Sequence, residues 1–256
     1  MRFYNLTMEE WKIQEKADRI IGILGGMGPE ATVDLYKHII DLTPAIKDQD
    51  HIKVIIYSNP KIPDRTEAIV AQGESPLPYL IESAEFLGKC GAGIIAMPCN
   101  TAHYYLPEIQ QRAAVPILDM IEETCADLCT RMPEIHTVGL LAIDGTLRSG
   151  VYHRVMAGAG VKILVSGNAE QQKIQSAIAQ VKAGVTNLPT QAIFENAARR
   201  LIEAGAQAII LGCTEVPLAF DPDKIDRPCL NPTRILAKAA VNWALGSNNY
   251  RLKIED

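Results

Sequence analysis

Two stretches of this 256-residue sequence run in parallel. Residues 19–36 read R-I-I-G-I-L-G-G-M-G-P-E-A-T-V-D-L-Y, and residues 136–152 read H-T-V-G-L-L-A-I-D-G-T-L-R-S-G-V-Y. Each is an apolar run, a glycine-bearing turn and a helical pattern; Gly22 and Gly139 stand 117 residues apart, Tyr36 and Tyr152 116. Residues 87–101 and 201–214 both pass from a helix end through Gly-Ala into an apolar run that ends on a cysteine, with Cys99 and Cys213 114 residues apart. Val115-Pro-Ile-Leu-Asp119 and Arg227-Pro-Cys-Leu-Asn231 follow at an offset of 112. Three ordered matches at a nearly constant offset are the mark of a duplicated unit. They predict an α/β protein of two similar Rossmann-like lobes, with parallel sheets related by a pseudo-two-fold and the active site in the cleft between them. Lobe 1 is expected over 19–118 plus 231–256, lobe 2 over 119–230, and an N-terminal extension over 1–18.

The pattern along the chain agrees. Strands are predicted at 19–24, 51–57, 93–97, 115–118, 137–141, 161–165, 208–211 and 228–230. Helices are predicted at 30–42, 77–90, 101–112, 120–131, 149–159, 170–183, 191–204 and 233–245, with loops at 60–63, 73–78 and 187–189. Strands alternating with helices imply parallel sheets covered on both faces. Lys plus Arg number 25 and Asp plus Glu 30, a net charge of −5. A mildly acidic chain lacks the electrostatic footprint of a nucleic-acid or anionic-membrane binder. No apolar run approaches the ~18 residues of a membrane span. The first 19 residues are charged and lack the apolar core of a secretion signal. A cytoplasmic setting is therefore expected.

Six cysteines stand at 90, 99, 125, 129, 213 and 229. In a long chain without a signal peptide they are poor candidates for disulfides. There is no C-x-x-C pair, and Cys125 and Cys129, at helical spacing, have no second half of a zinc site; no metal is expected. The repeat singles out Cys99 and Cys213, each following a strand and preceding a predicted helix start. Such a position is expected to lower a thiol pKa and to favour bound carboxylates. Ligands of these sheets bind beyond the carboxyl ends of the strands, where both thiols fall. Two thiols on opposite faces of one substrate suit inversion of a carbon stereocentre: one removes a proton and the other delivers one. A hydrolase or acyl transferase would pair a Cys with a His base; His103, four residues past Cys99, reads better as a support for the loop.

Four segments carry a family likeness: Ile23-Leu-Gly-Gly-Met-Gly-Pro-Glu-Ala-Thr32, Ser58-Asn-Pro-Lys-Ile-Pro-Asp-Arg-Thr66, Met97-Pro-Cys-Asn-Thr-Ala-His103 and Gly212-Cys-Thr-Glu215. In combination they resemble the aspartate racemases of the cofactor-independent Asp/Glu racemase superfamily, over residues 19 to 245. The resemblance implies a cleft site between two lobes, a homodimer, and two-base racemisation without pyridoxal phosphate or any other cofactor. It assigns the catalytic roles to Cys99 and Cys213 and carboxylate binding to Arg65, whose guanidinium fork suits a bidentate carboxylate. It maps a second cationic substrate ligand to Lys182, although a helix there would normally turn that lysine to solvent. Ile178 stands where the family often has Tyr.

Further substrate contacts are expected from Asn100, Thr101 and Ala102, whose donors can reach an α-carboxylate, from their repeat partner Thr214, and from Thr146. Such donors stabilise the charge that grows as the Cα proton leaves. Met27 is expected to line the pocket; Asn59 either caps a strand end or touches substrate. Residues 26–31 also fit G-x-G-x-x-[GA], but the next strand ends without the acidic ribose ligand of a dinucleotide site. Pro29 reads better as a first helical residue. The expected reaction is interconversion of L- and D-aspartate or a close analogue. A glutamate racemase or related small-diacid isomerase is the alternative within the enzyme class. A non-catalytic binder of a dicarboxylic amino acid is the alternative outside it, and it leaves the paired thiols without a use.

Overall fold

The computed structural model describes residues 19–246. The expected N-terminal extension and residues 247–256 lie outside them. One sheet contains β1 (Ile21–Gly25), β2 (Val54–Ser58) and β3 (Ile94–Ala96) in the order β2-β1-β3, all parallel. An isolated parallel bridge between Ile95 and Ile117 extends it by one position. The other sheet contains β4 (Thr137–Leu141), β5 (Lys162–Leu164), β6 (Ala208–Leu211) and β7 (Cys229–Leu230) in the order β5-β4-β6-β7, again parallel. The two orders are copies, with Ile117 in the place of β7. The duplication read from sequence is thus a duplication of topology.

The helices are α1 (Pro29–Leu42), α2 (Arg65–Val70), α3 (Leu77–Lys89), α4 (Leu106–Gln110), α5 (Met120–Arg131), α6 (Asp144–Ser149), α7 (Val151–Gly158), α8 (Asn168–Lys182), α9 (Leu188–Glu203), α10 (Val216–Ala219) and α11 (Pro232–Ala244). Successive strand residues point to opposite faces, so a parallel sheet divides its apolar side chains between two layers. Ile21, Ile23, Ile94 and Ala96 pack on Leu35 and Ile39 of α1 and Leu236 and Ala240 of α11. Leu24 and Ile95 face Leu80, Ala84 and Leu87 of α3. In the second sheet Leu141, Ile209 and Leu211 meet Ile174 and Ile178 of α8 and Phe194 and Leu201 of α9. Val138, Leu140, Ala208 and Ile210 meet Ile121 and Leu128 of α5 and Tyr152 and Met156 of α7. The alternation of these runs is what lets each strand serve two cores. Helix α11 packs on both α1 and α5.

The repeat extends to detail. A Cβ at Gly22 would stand 2.8 Å from Ala92 Cβ, and one at Gly139 2.8 Å from Ile209 Cδ1, so both central strands need the small residue there. Asp119 and Asn231 are both N-caps: Asp119 accepts from Ile121 N at 2.8 Å, and Asn231 from Thr233 N at 3.0 Å. A cap of this kind is worth about 1 kcal/mol.

Several boundaries differ from expectation. The single helix predicted over 101–112 is a 3₁₀ turn, Thr101–Tyr105, followed by α4. Pro107 lies in the first turn of α4, where its missing N–H does no harm but where an unbroken α-helix could not pass. The strand predicted at 115–118 is reduced to the one bridge. A separate helix, α6, precedes α7, and Gly150 (φ +68°) breaks the two apart. Pro78 and Pro189, read as loop residues, sit in the first turns of α3 and α9, a position that suits proline. The helix α2 follows a segment expected to be loop; Asp64 nucleates it by accepting from Thr66 N at 2.7 Å and Glu67 N at 2.9 Å. Among the described residues no helix is long and apolar enough to cross a membrane.

Candidate active site

The turn after β1 sets the floor of the site. Gly26 has φ +97°, and a Cβ on it would lie 2.3 Å from the carbonyl carbon of Asn59. Only glycine accepts both demands. The contact carries the β1–α1 turn against the end of β2 and leaves the buried Met27 facing a cavity. That cavity lies beyond the carboxyl ends of the strands. It is lined by residues of both lobes, among them Met27, Arg65, Cys99, Asn100, Lys182 and Cys213.

Cys99 follows β3 through Met97 and Pro98 and is buried. Its carbonyl meets His103 Nδ1 at 2.9 Å, while Met120 N donates to His103 Nε2 at 3.0 Å. With Nε2 accepting, the ring proton sits on Nδ1 and is donated to Cys99. His103 is therefore a brace between this loop and α5, as its spacing suggested.

Cys213 follows β6 and is buried to the same degree, 6% exposed against 6% for Cys99. Its Sγ donates to Glu215 Oε2 at 3.0 Å, and Thr214 Oγ1 donates to the same oxygen at 3.2 Å. The expectation of a lowered thiol pKa fails here. Burial, then the Glu215 charge, push the Cys213 thiol well above its usual range, with Lys182 opposing. The helix meant to supply N–H groups, α10, is four residues long and begins only at Val216, so its dipole is too small and too distant to compete.

Arg65 is the first residue of α2, and the Asp64 cap fixes its direction. Its guanidinium is buried. Nη1 donates to Pro63 O at 2.9 Å and Ile62 O at 3.2 Å, Nη2 to Met27 O at 3.5 Å, and Nε has no partner. These carbonyls orient the fork without neutralising it. A buried cation held only by carbonyls is a strong recruiter of an anion. Lys182 ends α8 and, although exposed by area, lines the cavity. Burial works against its charge, but Glu215, Cys213, Cys99 and Asp64 outweigh it and hold the ammonium above its usual range.

Asn100 Oδ1 accepts from Tyr152 Oη at 2.6 Å, and its buried Nδ2 has no partner. Thr101 Oγ1 lies 2.8 Å from Thr146 Oγ1, joining the two lobes beside the cavity. Of the residues singled out from sequence, Met27, Arg65, Cys99, Asn100, Thr101, Lys182, Cys213 and Thr214 line this one cavity; Ala102, Thr146 and Asn59 do not. Ala102 is wholly buried in the core behind the loop. Thr146 is spent on Thr101. Asn59 accepts from Lys61 N at 3.0 Å, the capping alternative. Asp64, Thr66, Ile143 and Glu215 line the cavity without having been singled out. Glu215 had a signal, a carboxylate two residues past a candidate thiol. Among the described residues no three His, Cys, Asp or Glu side chains cluster as a metal site requires. A wider groove adjoins the cavity and shares Met27, Asp64, Arg65, Lys182 and Glu215 with it.

The site brings two buried thiols, one from each lobe, to one cavity with a buried guanidinium. A family model described as Asp/Glu/Hydantoin racemase matches residues 24–240. A protein named broad specificity amino-acid racemase RacX, from Bacillus subtilis, is 33% identical over 230 residues, which is 88% of this chain and 98% of that protein. The structure of an aspartate racemase from Picrophilus torridus superposes with a TM-score of 0.80 at 30% identity, covering 92% of this chain and 96% of that one. A glutamate racemase from Francisella tularensis, at 18% identity and a TM-score of 0.66 over 93% of this chain and 85% of that one, shares the fold.

Proposed function

The chain belongs to the Asp/Glu/hydantoin racemase family, and on that premise we propose that it interconverts L- and D-aspartate by proton transfer between Cys99 and Cys213, without a cofactor. The observation that carries the reading is one cavity lined by both buried thiols, each from the matching position of its lobe, beside a buried arginine with no acidic partner among the described residues.

In the proposed sequence the β-carboxylate of the substrate takes the fork of Arg65. The α-carboxylate takes the free Nδ2 of Asn100 and the hydroxyl of Thr101, with Thr146 donating to Thr101 Oγ1. A thiolate on Cys99 removes the Cα proton, and the electron pair spreads into the α-carboxylate, where those donors stabilise it. The Cys213 thiol then delivers its proton to the opposite face. The cycle ends with Cys99 protonated and Cys213 as thiolate, the arrangement from which the reverse reaction starts. Glu215 accepts the Cys213 S–H bond and so favours the thiol as proton donor. Lys182 balances the charge of Glu215 and of whichever thiolate is present. The scheme needs one thiolate and one thiol at once, and each turnover exchanges which sulfur holds the proton. The protein is proposed to act as a homodimer, as the family likeness implies, and in the cytoplasm, as its composition and charged first residues lead us to expect.

A second reading is supported by the adjoining groove. It opens outward from the cavity and is lined by Met27, Ile62 and Val181 as well as by charges. An apolar wall beside the charges suits amino-acid side chains other than a carboxylate, in keeping with the name of the Bacillus relative.

The test is incubation with L-aspartate in D₂O, following chirality and deuterium at Cα, and then with a panel of other amino acids. D-Aspartate carrying deuterium is the expected product. No exchange with aspartate, but exchange with others, selects the second reading. No exchange with any amino acid leaves binding alone and overturns both. Cys99→Ser and Cys213→Ser are each expected to lose about 10²–10⁴-fold in racemisation, the usual worth of a general acid or base, and Cys125→Ser to lose little. Undiminished racemisation by Cys213→Ser would rule out the two-base scheme.

A further inference from the structure

Tyr152 is completely buried in the core of the second lobe, yet its hydroxyl reaches the loop after β3 in the first lobe. It follows Gly150, whose positive φ separates α6 from α7 and lets α7 start with the tyrosine pointing at that loop. Its phenol donates to Asn100 Oδ1 at 2.6 Å, a short hydrogen bond. Burial holds the phenol far above its usual pKa, so it remains a donor at every working pH.

An asparagine side chain can present either its oxygen or its nitrogen to a site, and the two ends have opposite chemistry. In Asn100 the choice is made by the neighbour. With Oδ1 taken by Tyr152, Nδ2 is the free end; it is buried, unpartnered, and belongs to a residue lining the cavity. A buried amide donor without an acceptor is costly, of the order of 1–3 kcal/mol, and is retained where something fills it.

We infer that Tyr152 is a positioning residue for catalysis: by anchoring Asn100 Oδ1 across the lobes it holds Nδ2 ready for the substrate α-carboxylate. The inference rests on the racemase reading for its kinetic consequence, and on geometry alone for the anchoring. Charge grows on the carboxylate in the transition state, so a misdirected amide lowers kcat more than it raises KM.

The variant is Tyr152→Phe, which keeps the ring in the core and removes one oxygen. Two readouts are taken. In ¹⁵N relaxation, the Asn100 side-chain amide, assigned by its loss in Asn100→Ala, is expected to be rigid in the unchanged protein and mobile in Tyr152→Phe. In kinetics, Tyr152→Phe is expected to lose about tenfold in kcat, with KM changed less than about threefold. Asn100→Ala loses about 10²–10³-fold, and adding Tyr152→Phe to it loses nothing more. An amide that stays rigid in Tyr152→Phe, or a kcat loss as large in the Asn100→Ala background as in its absence, overturns the inference. Should the unchanged protein show no exchange with any amino acid, the racemase reading fails, and the relaxation measurement still decides the anchoring.

Discussion

Cys213 Sγ donates a hydrogen bond to Glu215 Oε2 across 3.0 Å, and no residue but Thr214 separates the two in sequence. The thiol and the carboxylate are both buried, so the negative charge of one bears directly on the ionisation of the other. Replacing Glu215 with Gln removes the charge and keeps the shape. The thiolate of Cys213 is then less opposed, while Lys182 still attracts it. The midpoint of Cys213 alkylation against pH is expected to move down in Glu215→Gln, read as modified peptide by mass spectrometry. Racemisation is expected to fall as the thiol loses its value as a proton donor at neutral pH. An alkylation midpoint that stays in place would separate Glu215 from the chemistry of Cys213.

Arg65 makes its bonds to Pro63, Ile62 and Met27 carbonyls through a planar fork. A lysine ammonium has neither the planarity nor the second nitrogen, so Arg65→Lys is expected to behave nearly as badly as Arg65→Ala. A charge-assisted hydrogen bond to a carboxylate is worth about 1.5–3 kcal/mol, so each variant is expected to lose about 10–150-fold in kcat/KM for aspartate. Substrates lacking the second carboxylate should be affected far less. Equal losses for aspartate and alanine would remove Arg65 from side-chain recognition.

The two lobes were legible because duplication is a property of the whole sequence: glycines 22 and 139 and caps 119 and 231 recur at nearly one spacing, and no local ambiguity disturbs that. The end of β3 and the end of β6 were equally legible, and with them the meeting of Cys99 and Cys213 at one cavity. What sequence left out was decided by direction and by surroundings. Glu215 was adjacent on paper, but only the folded loop turns its carboxylate back onto Cys213. The thiol pKa was expected to fall because a helix was expected at once after it; the chain turns through Glu215 first, and burial then dominates. Tyr152 entered the sequence reading only as a repeat mate of Tyr36. Its use lies in a hydrogen bond spanning 52 residues, which no periodicity encodes.

The raised thiols also bear on stability. For Cys213 the folded pKa lies well above the ordinary thiol value of 9.0, and for Cys229 burial pushes it up to about 11. A raised pKa means that the native state holds its proton where the unfolded chain has lost it. Below pH 9 these groups leave stability unchanged; above it the unfolded state binds fewer protons, and unfolding becomes easier as pH rises. The melting temperature is expected to fall between pH 9 and 11, and less steeply in Cys213→Ala than in the unchanged protein. An equal slope in both would contradict the burial of a protonated Cys213.

His103 offers the sharpest contrast between bracing and catalysis. Its two ring nitrogens are occupied, one by the Cys99 carbonyl and one by the Met120 amide, so neither is free to exchange a proton with substrate. His103→Ala leaves both backbone groups unpaired in a buried setting, at about 1–3 kcal/mol for each. The variant is expected to melt several degrees lower and to lose activity as the Cys99 loop loosens. The pH profile of the remaining activity, however, should keep its shape, since no proton of the proposed reaction passes through the imidazole. A pH profile that changes shape on replacement of His103 would instead make the imidazole a participant in proton transfer.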